Sequence, residues 1–192
     1  MLNLKRYGSD YGGWKIDDSE INKNSIIYSF GIGEDASFDL ELINTFGCLI
    51  HAYDPTPKSK KWVNDNILNS NFKFSPIGLS NINGTEIFFY PSNENYVSFS
   101  KFGNTDKIEL PVSTLDTLMK VNDHTEIDIL KMDIEGFEYE VLFDILTKGI
   151  KIKQICVEFH LVDKNKDILN AINEKYDLIS QKNSHDFTFK IK

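Results

Sequence analysis

Lys131-Met132-Asp133-Ile134-Glu135-Gly136-Phe137-Glu138-Tyr139-Glu140-Val141-Leu142 follows the apolar run Ile127-Asp128-Ile129-Leu130. Ile127 to Asp133 reads as a strand, and Phe137 to Thr147 as an amphipathic helix that closes near Gly149. A lysine and an aspartate at the end of a buried strand are costly unless they have partners or a ligand. In open α/β sheets, ligands sit outside the carboxyl ends of the strands. The charged turn is therefore the first place to look for chemistry.

Upstream, the elements alternate. Ser25 to Gly31 reads as a strand, Asp35 to Thr45 as a helix capped by Gly47, and Cys48 to Tyr53 as a second strand stopped by Asp54-Pro55-Thr56-Pro57. Lys58 to Leu68 predicts a second helix and Phe72 to Ile77 a third strand. The texture then changes: a turn at Asn81-Ile82-Asn83-Gly84, extended runs Thr85 to Tyr90 and Lys107 to Val112, and the polar stretch Ser92 to Thr105 between them. Ser113 or Thr114 suits the cap of a short helix through Lys120. Downstream come a strand (Lys153–His160), a helix (Asp163–Tyr176) and a hairpin over Leu178–Lys190 that turns at Asn183–Asp186. This alternation predicts βαβ units, a mostly parallel sheet and a single α/β domain over 1–192. Residues 1–24 form a lead-in to it and 81–112 an inserted β/loop region.

Composition narrows the partners. Lys and Arg number 21 against 29 Asp and Glu, a formal charge of −8. A phosphate-tracking nucleic-acid binder normally shows the opposite balance. No run reaches the roughly 20 apolar residues of a membrane span. The stretch Met1-Leu2-Asn3-Leu4-Lys5-Arg6 lacks the apolar centre of a signal peptide. Cys48 and Cys156 each sit within an apolar run, so buried, unbridged thiols and a reducing, cytoplasmic setting are expected.

Gly31-Ile32-Gly33-Glu34 lies between the first strand and its helix, where glycines permit close approach of a ligand. Asp54 ends the second strand about 20 residues further on, the placement of an acid that holds ribose hydroxyls. A full Gly-x-Gly-x-x-Gly fingerprint would carry a third glycine, and none follows at that spacing. That leaves less room for a pyrophosphate and favours S-adenosylmethionine (SAM) over a dinucleotide.

In these motifs the chain resembles the FkbM-type SAM-dependent methyltransferases, in the methyltransferase-like branch with a Ser-Phe-Gly-Ile-Gly first motif. The likeness runs through Arg6–Trp14, Tyr28–Asp39, Gly47–Pro55, Pro111–Leu118, Ile127–Leu142 and Val157–His160. It implies a Rossmann-like class I fold: a mostly parallel seven-stranded sheet, a C-terminal antiparallel hairpin and helices on both faces. It also implies SAM as donor and O-methyl transfer to a hydroxyl of a sugar or glycan, in some cases inside a larger glycosyltransferase-containing protein. Ser29 stands where many methyltransferases place an acid, so the cofactor set is read as Ser29, Gly31, Gly33, Glu34 and Asp54. Glu34 or Asp35 would then take over the missing acid's role.

Methylating an alcohol requires removing its proton. Asp133, Glu158 and His160 are the candidate catalytic groups. Glu158 and His160, two apart on a strand, are expected on one face. Lys131 alternates onto the face of Asp133 and is expected to pair with Glu158. A carboxylate–imidazole cluster is also a donor set for a divalent cation, and the spacing decides nothing about a metal. Tyr11, Trp14, Tyr96, Phe99 and Phe102 are candidate acceptor contacts. Two rivals remain: an NAD-dependent oxidoreductase or epimerase, which would use a fuller glycine fingerprint and a Tyr-x-x-x-Lys pair, and a non-catalytic module of the same fold.

Overall fold

The computed structural model describes residues 2–93, 98–160 and 166–192; Tyr96 and the expected helix start at Asp163 lie outside them. In chain order the elements are β1 (Leu4–Tyr7), β2 (Trp14–Asp17), β3 (Ile26–Phe30), α1 (Ser37–Phe46), β4 (Leu49–Tyr53), α2 (Pro57–Asn66), β5 (Phe72–Ser75), β6 (Gly78–Leu79), β7 (Gly84–Phe89) and β8 (Lys107–Ser113). They continue with α3 (Leu115–Val121), β9 (Glu126–Met132), α4 (Glu138–Lys148), β10 (Lys151–Glu158), α5 (Lys166–Lys175), β11 (Tyr176–Gln181) and β12 (Asp186–Ile191).

The main sheet has seven strands in the order β11-β12-β10-β9-β3-β4-β5. The strands from β10 to β5 pair in parallel, and β12 runs antiparallel between β10 and β11. Strand β9 is central, and Ile127 through Met132 are all buried. A parallel strand covered on both faces needs a mostly apolar run, and its charged members need partners. Its one early acid, Asp128, is satisfied: Oδ2 accepts from Ile26 N at 2.7 Å, and Oδ1 pairs with Lys153 Nζ at 2.8 Å.

Two apolar layers flank the sheet. Phe38 and Leu42 of α1 and Val63 of α2 pack on one face with Ile27, Ile50 and Cys156. Leu118 of α3, Val141 of α4 and Ile172 of α5 pack on the other with Phe30, Leu130 and Val157. The small sheet β6-β8-β7 extends that second layer through Leu79, Phe88, Leu110 and Val112. The β1–β2 hairpin joins the α1 layer through Tyr7, Trp14 and Ile16. It is fastened to β10 by Gln154, which exchanges 2.8 Å bonds with Asp17 N and O, and to β12 by Lys190 on Asp17 Oδ2 at 2.5 Å. Cys48 and Cys156 are buried and free.

Candidate functional site

The strand order reverses between β3 and β9, so their connections leave to opposite faces and a crevice opens at the carboxyl edge. There a cavity of about 710 Å³ is walled by the ends of β3, β4, β9 and β10, with Phe88 and Phe99 on one side and Tyr11 and Trp14 of the lead-in on another. This size suits a nucleoside-sized ligand with a second molecule beside it.

One wall is the glycine turn. Gly31 adopts φ 76°, and a Cβ there would stand 1.7 Å from the carbonyl oxygen of Asp133. The close approach follows from the pairing of strand ends: Gly31 N donates to Tyr53 O and Asp133 N to Phe30 O. Only glycine fits both the backbone angle and the gap. Gly33 N donates to Asp54 Oδ2 at 2.9 Å, while Asp54 Oδ1 accepts from Thr56 N at 2.9 Å and Thr56 Oγ1 at 2.6 Å. The carboxylate thus ties the glycine turn to the cap of α2. Glu34 lines the cavity, as does Asp35. Burial raises the Asp35 carboxyl, but hydrogen bonds from Ser37 and Ser9 outweigh it and hold the group below its ordinary range. The third fingerprint position is Ala36, fully buried ahead of α1.

The floor departs from the expected pairs. Lys131 donates to Phe30 O at 3.0 Å and Gly31 O at 2.5 Å, not to Glu158. It tightens the end of β3, and its charge favours ionisation of Asp39 and Asp133. Ser29 is fully buried and does not line the cavity. Beside it lies Asp39, in the first turn of α1, which does line the cavity. Neither Ser29 Oγ nor Asp39 Oδ1 has a partner at full hydrogen-bond distance, though the Ser29 hydroxyl stands close enough to Asp39 to favour its ionised form. Burial raises the Asp39 carboxyl to about 6 against the pull of Lys131. An acid thus stands beside Ser29 on the neighbouring helix, where the strand end itself has none.

The opposite wall concentrates charge. Asp133 and Glu158 line the cavity with Asp186, which faces Glu158 across the β10–β12 ladder. Burial, reinforced by Asp133 and Asp186, pushes Glu158 up to about 7. Asp133 is raised too, by burial against the opposing pull of Lys131. Neither carboxylate has a side-chain hydrogen bond among the described residues. Strand β10 ends at Glu158, so His160 does not share its face. The imidazole turns instead toward the start of α4, with Nδ1 at 2.9 Å from Glu138 Oε1 and Nε2 at 3.2 Å from Glu135 Oε2. Carboxylates only accept, so Nδ1 carries a proton toward Glu138, and the Glu135 carboxylate beside Nε2 favours a second proton on the ring. Burial works against that charge, but the Glu138 bond and the surrounding acids prevail and raise His160 to about 9. That value favours the imidazolium at neutral pH.

The loop between them is held from several sides. Glu138, fully buried, accepts from Ile134 N at 3.2 Å and Gly136 N at 3.1 Å. Glu135 takes a left-handed φ of 54°, and its carbonyl accepts from Lys101 N at 2.9 Å and Ser100 Oγ at 3.1 Å. Asp39, Glu135, Glu138 and Asp186 were not singled out from the sequence. For Glu138 a signal existed, an acid in the first turn of a helix; the others meet only through tertiary pairing. The Tyr-x-x-x-Lys spacing does occur, at Tyr11 and Lys15, but on a turn and a strand. Tyr11 lines the cavity and Lys15 faces away from it, so the two do not form the pair an epimerase would use.

The methyltransferase FkbM domain matches residues 21–187. A human relative, described as probable methyltransferase-like protein 24, is 27% identical over 143 residues, 73% of this chain. The chain spans about a third of that relative, 34%. The fibrillarin pre-rRNA processing protein of Methanococcus jannaschii superposes with a TM-score of 0.50 at 7% identity, covering 99% of this chain and 82% of that one. A precorrin-6y C5,15-methyltransferase of Geobacter metallireducens gives 0.49 at 11% identity, covering 90% and 84%. With the family match spanning most of the chain and the strand order of a class I Rossmann-like sheet beneath it, this chain belongs to the FkbM family of SAM-dependent methyltransferases.

Proposed function

We propose that this domain transfers a methyl group from SAM to a hydroxyl of a sugar or glycan, with Glu158 as the base. The observation that carries this reading is the rim at Glu158: a cavity-lining carboxylate raised to about 7, with no hydrogen-bonded partner among the described residues. A general base works best with a pKa near the operating pH.

The residues fit the cofactor. Asp39 Oδ1 is a buried acceptor without a partner at full hydrogen-bond distance, in a residue that lines the cavity, suited to the ammonium of a methionine moiety. Asp54 keeps acceptor capacity on Oδ2 for ribose hydroxyls after its protein bonds. Gly31 and Gly33 leave the backbone bare beside them. When bound, SAM supplies an electrophilic methyl on a sulfonium. Asp39 and Asp54 orient the two ends of the cofactor, and Glu158 accepts the acceptor hydroxyl's proton as the oxygen becomes nucleophilic. Asp133 keeps the rim negative, which favours a proton on Glu158 once it has been taken.

The carbohydrate acceptor is supported by the pairing of aromatic faces with acids. Tyr11 is 87% exposed at the mouth, and Phe88 and Phe99 wall the interior. Carboxylates that accept from hydroxyls, next to ring faces, suit a sugar and repel a polyanion. The buried, unbridged thiols support a cytoplasmic setting. No described helix is long and apolar enough to cross a membrane.

The test is a product assay for S-adenosylhomocysteine across a panel of free sugars and neutral glycosides. Turnover on a hydroxyl acceptor, abolished in Glu158→Gln with SAM binding kept, is the expected result. SAM binding with no turnover on any hydroxyl would favour a binding module instead.

A further inference from the structure

The Asp133–Glu135–His160 corner has the donor set and the support of a divalent-cation site. One carboxylate oxygen from each acid and one imidazole nitrogen lie within 4.8 Å of one another. Around a six-coordinate ion of Mg²⁺ size, ligand atoms stand roughly 3–4 Å apart. His160 Nε2 and Glu135 Oε2 are already 3.2 Å apart. Asp133 and Glu135 line the cavity, so an ion between them would face the space where an acceptor enters.

The second observation is the outer support of the histidine. Metal-binding imidazoles characteristically donate their other N–H to a carboxylate, which fixes the ring and raises its basicity. Here Nδ1–H donates to Glu138 Oε1 at 2.9 Å. Glu138 is fully buried and is itself fixed by the backbone N–H groups of Ile134 and Gly136. The same carboxylate therefore orients the imidazole and the loop that carries Glu135. The left-handed backbone at Glu135, clamped through its carbonyl by Lys101 N and Ser100 Oγ, holds that residue beside the other two donors. Lys131 does not compete for the position, because its ammonium is engaged by the carbonyls of Phe30 and Gly31.

We propose that Asp133, Glu135 and His160 bind a divalent cation of the Mg²⁺ or Mn²⁺ class, with Glu138 as the positioning residue behind His160. Two carboxylates and one imidazole suit these hard to borderline ions better than the thiolate-seeking ones. On binding, the ion takes the place of the Nε2 proton, which leaves to solvent, and remaining positions are open to water or an acceptor oxygen. A hydroxyl on such an ion is more acidic, so the nearby Glu158 removes its proton more readily. That use of the ion rests on the methyl-transfer reading; the binding itself does not.

The experiment titrates Mn²⁺ into the purified, metal-stripped chain and follows loss of the free-ion paramagnetic resonance signal, with SAM affinity measured in parallel without metal. One Mn²⁺ per chain is expected, displaced by Mg²⁺ if the site takes both ions and retained if it selects Mn²⁺. His160→Ala and Asp133→Asn should each weaken binding by at least about tenfold. Glu138→Gln should weaken it about 10- to 100-fold, as outer-shell changes do. Glu140→Gln, on the exposed side of α4, should leave it unchanged. Melting curves identify any variant that has merely unfolded, and Asp133→Asn, nearly isosteric, guards against that outcome. No Mn²⁺ binding at millimolar concentration by a chain that binds SAM would overturn the metal site and leave the methyltransferase reading standing. Undiminished binding by folded His160→Ala and Asp133→Asn would overturn it as well. Failure of a folded chain to bind SAM would count against the proposed cofactor contacts alone.

Discussion

The two walls of the cavity carry similar numbers of acids and treat them in opposite ways. On the β3–β4 wall, Asp54 and Asp35 each accept hydrogen bonds from nearby donors: Gly33 and Thr56 for the first, Ser37 and Ser9 for the second. Those bonds are local, and Asp35 is held ionised by them. On the β9–β10 wall, Asp133 and Glu158 lack such donors and crowd one another, and both hold protons more tightly than usual. At an effective dielectric of about 20, two like charges 5 Å apart repel by about 3 kcal/mol. A fold tolerates that at a site used for proton or cation chemistry. The first wall is a rigid cradle; the second stores unfavourable charge where a reaction can use it.

Gly31→Ala should break the cradle most severely. Its Cβ would collide with the Asp133 carbonyl at 1.7 Å, and φ 76° is strained for any other residue. The loss should reach about 4 kcal/mol or more, the range of the most severe single substitutions. Urea unfolding measures it, and a near-native midpoint would show that the strand ends are free to part.

Glu158→Gln should instead break the chemistry. Turnover should fall about 10²–10⁴-fold, with SAM affinity little changed. In the parent, rate should rise as pH passes through about 7, and the rise should vanish in the variant. Stability gives an independent reading with a definite sign. Glu158 titrates near 4.5 when unfolded and near 7 when folded, so between those values the folded state holds more protons. Stability therefore declines as pH rises through that window. The variant should melt above the parent at pH 8 and lose that advantage at pH 5, a crossover that calorimetry resolves. A constant difference at both pH values would mean that Glu158 is not the strained group.

Asp54→Ala comes next. It should weaken SAM binding by about 1.5–3 kcal/mol through lost charge-assisted bonds. It should also lower the melting temperature without SAM, because Gly33 N and Thr56 lose their acceptor. A loss of affinity with no loss of stability would separate cofactor contact from cradle support.

Much of the fold was legible in the sequence because buried parallel strands must be mostly apolar runs. Ile26–Phe30, Leu49–Tyr53 and Glu126–Met132 sit almost where the pattern places them. Helix α1 starts at Ser37 instead of Asp35 because the Asp35 carboxylate bonds Ser37 N ahead of the first turn. The glycine turn and Asp54 were legible too, being set by spacing between consecutive elements. The charged wall was legible only in part. Asp133 and Glu158 follow from strand alternation, but His160 lies past the end of β10, where alternation no longer applies. Its partners Glu135 and Glu138 come from a loop and a helix start that no periodicity places beside it. Lys131 was placed correctly and paired wrongly, because its acceptors are backbone carbonyls of the neighbouring strand end. Side-chain chemistry alone does not reveal them.

The smallest expected effect tests where the cofactor's acid resides. Ser29 occupies the strand-end position where a carboxylate was expected, yet its hydroxyl is fully buried, off the cavity and without a partner at full hydrogen-bond distance. Removing a buried polar atom that makes no full hydrogen bond is close to neutral or stabilising. Ser29→Ala should therefore change stability by less than about 0.5 kcal/mol, the scale of substitutions that disturb no structural feature. SAM affinity should also stay near the parent value. Asp39→Asn changes the neighbouring group from a carboxylate to a neutral amide of the same shape. If Asp39 holds the methionine ammonium, that change should weaken SAM several-fold or more while the fold keeps its melting temperature or gains a little from losing a buried charge. Binding of S-adenosylhomocysteine, which shares the ammonium but lacks the sulfonium charge, should fall in parallel. A Ser29→Ala variant that loses SAM while Asp39→Asn keeps it would return the contact to the strand end and reverse the assignment.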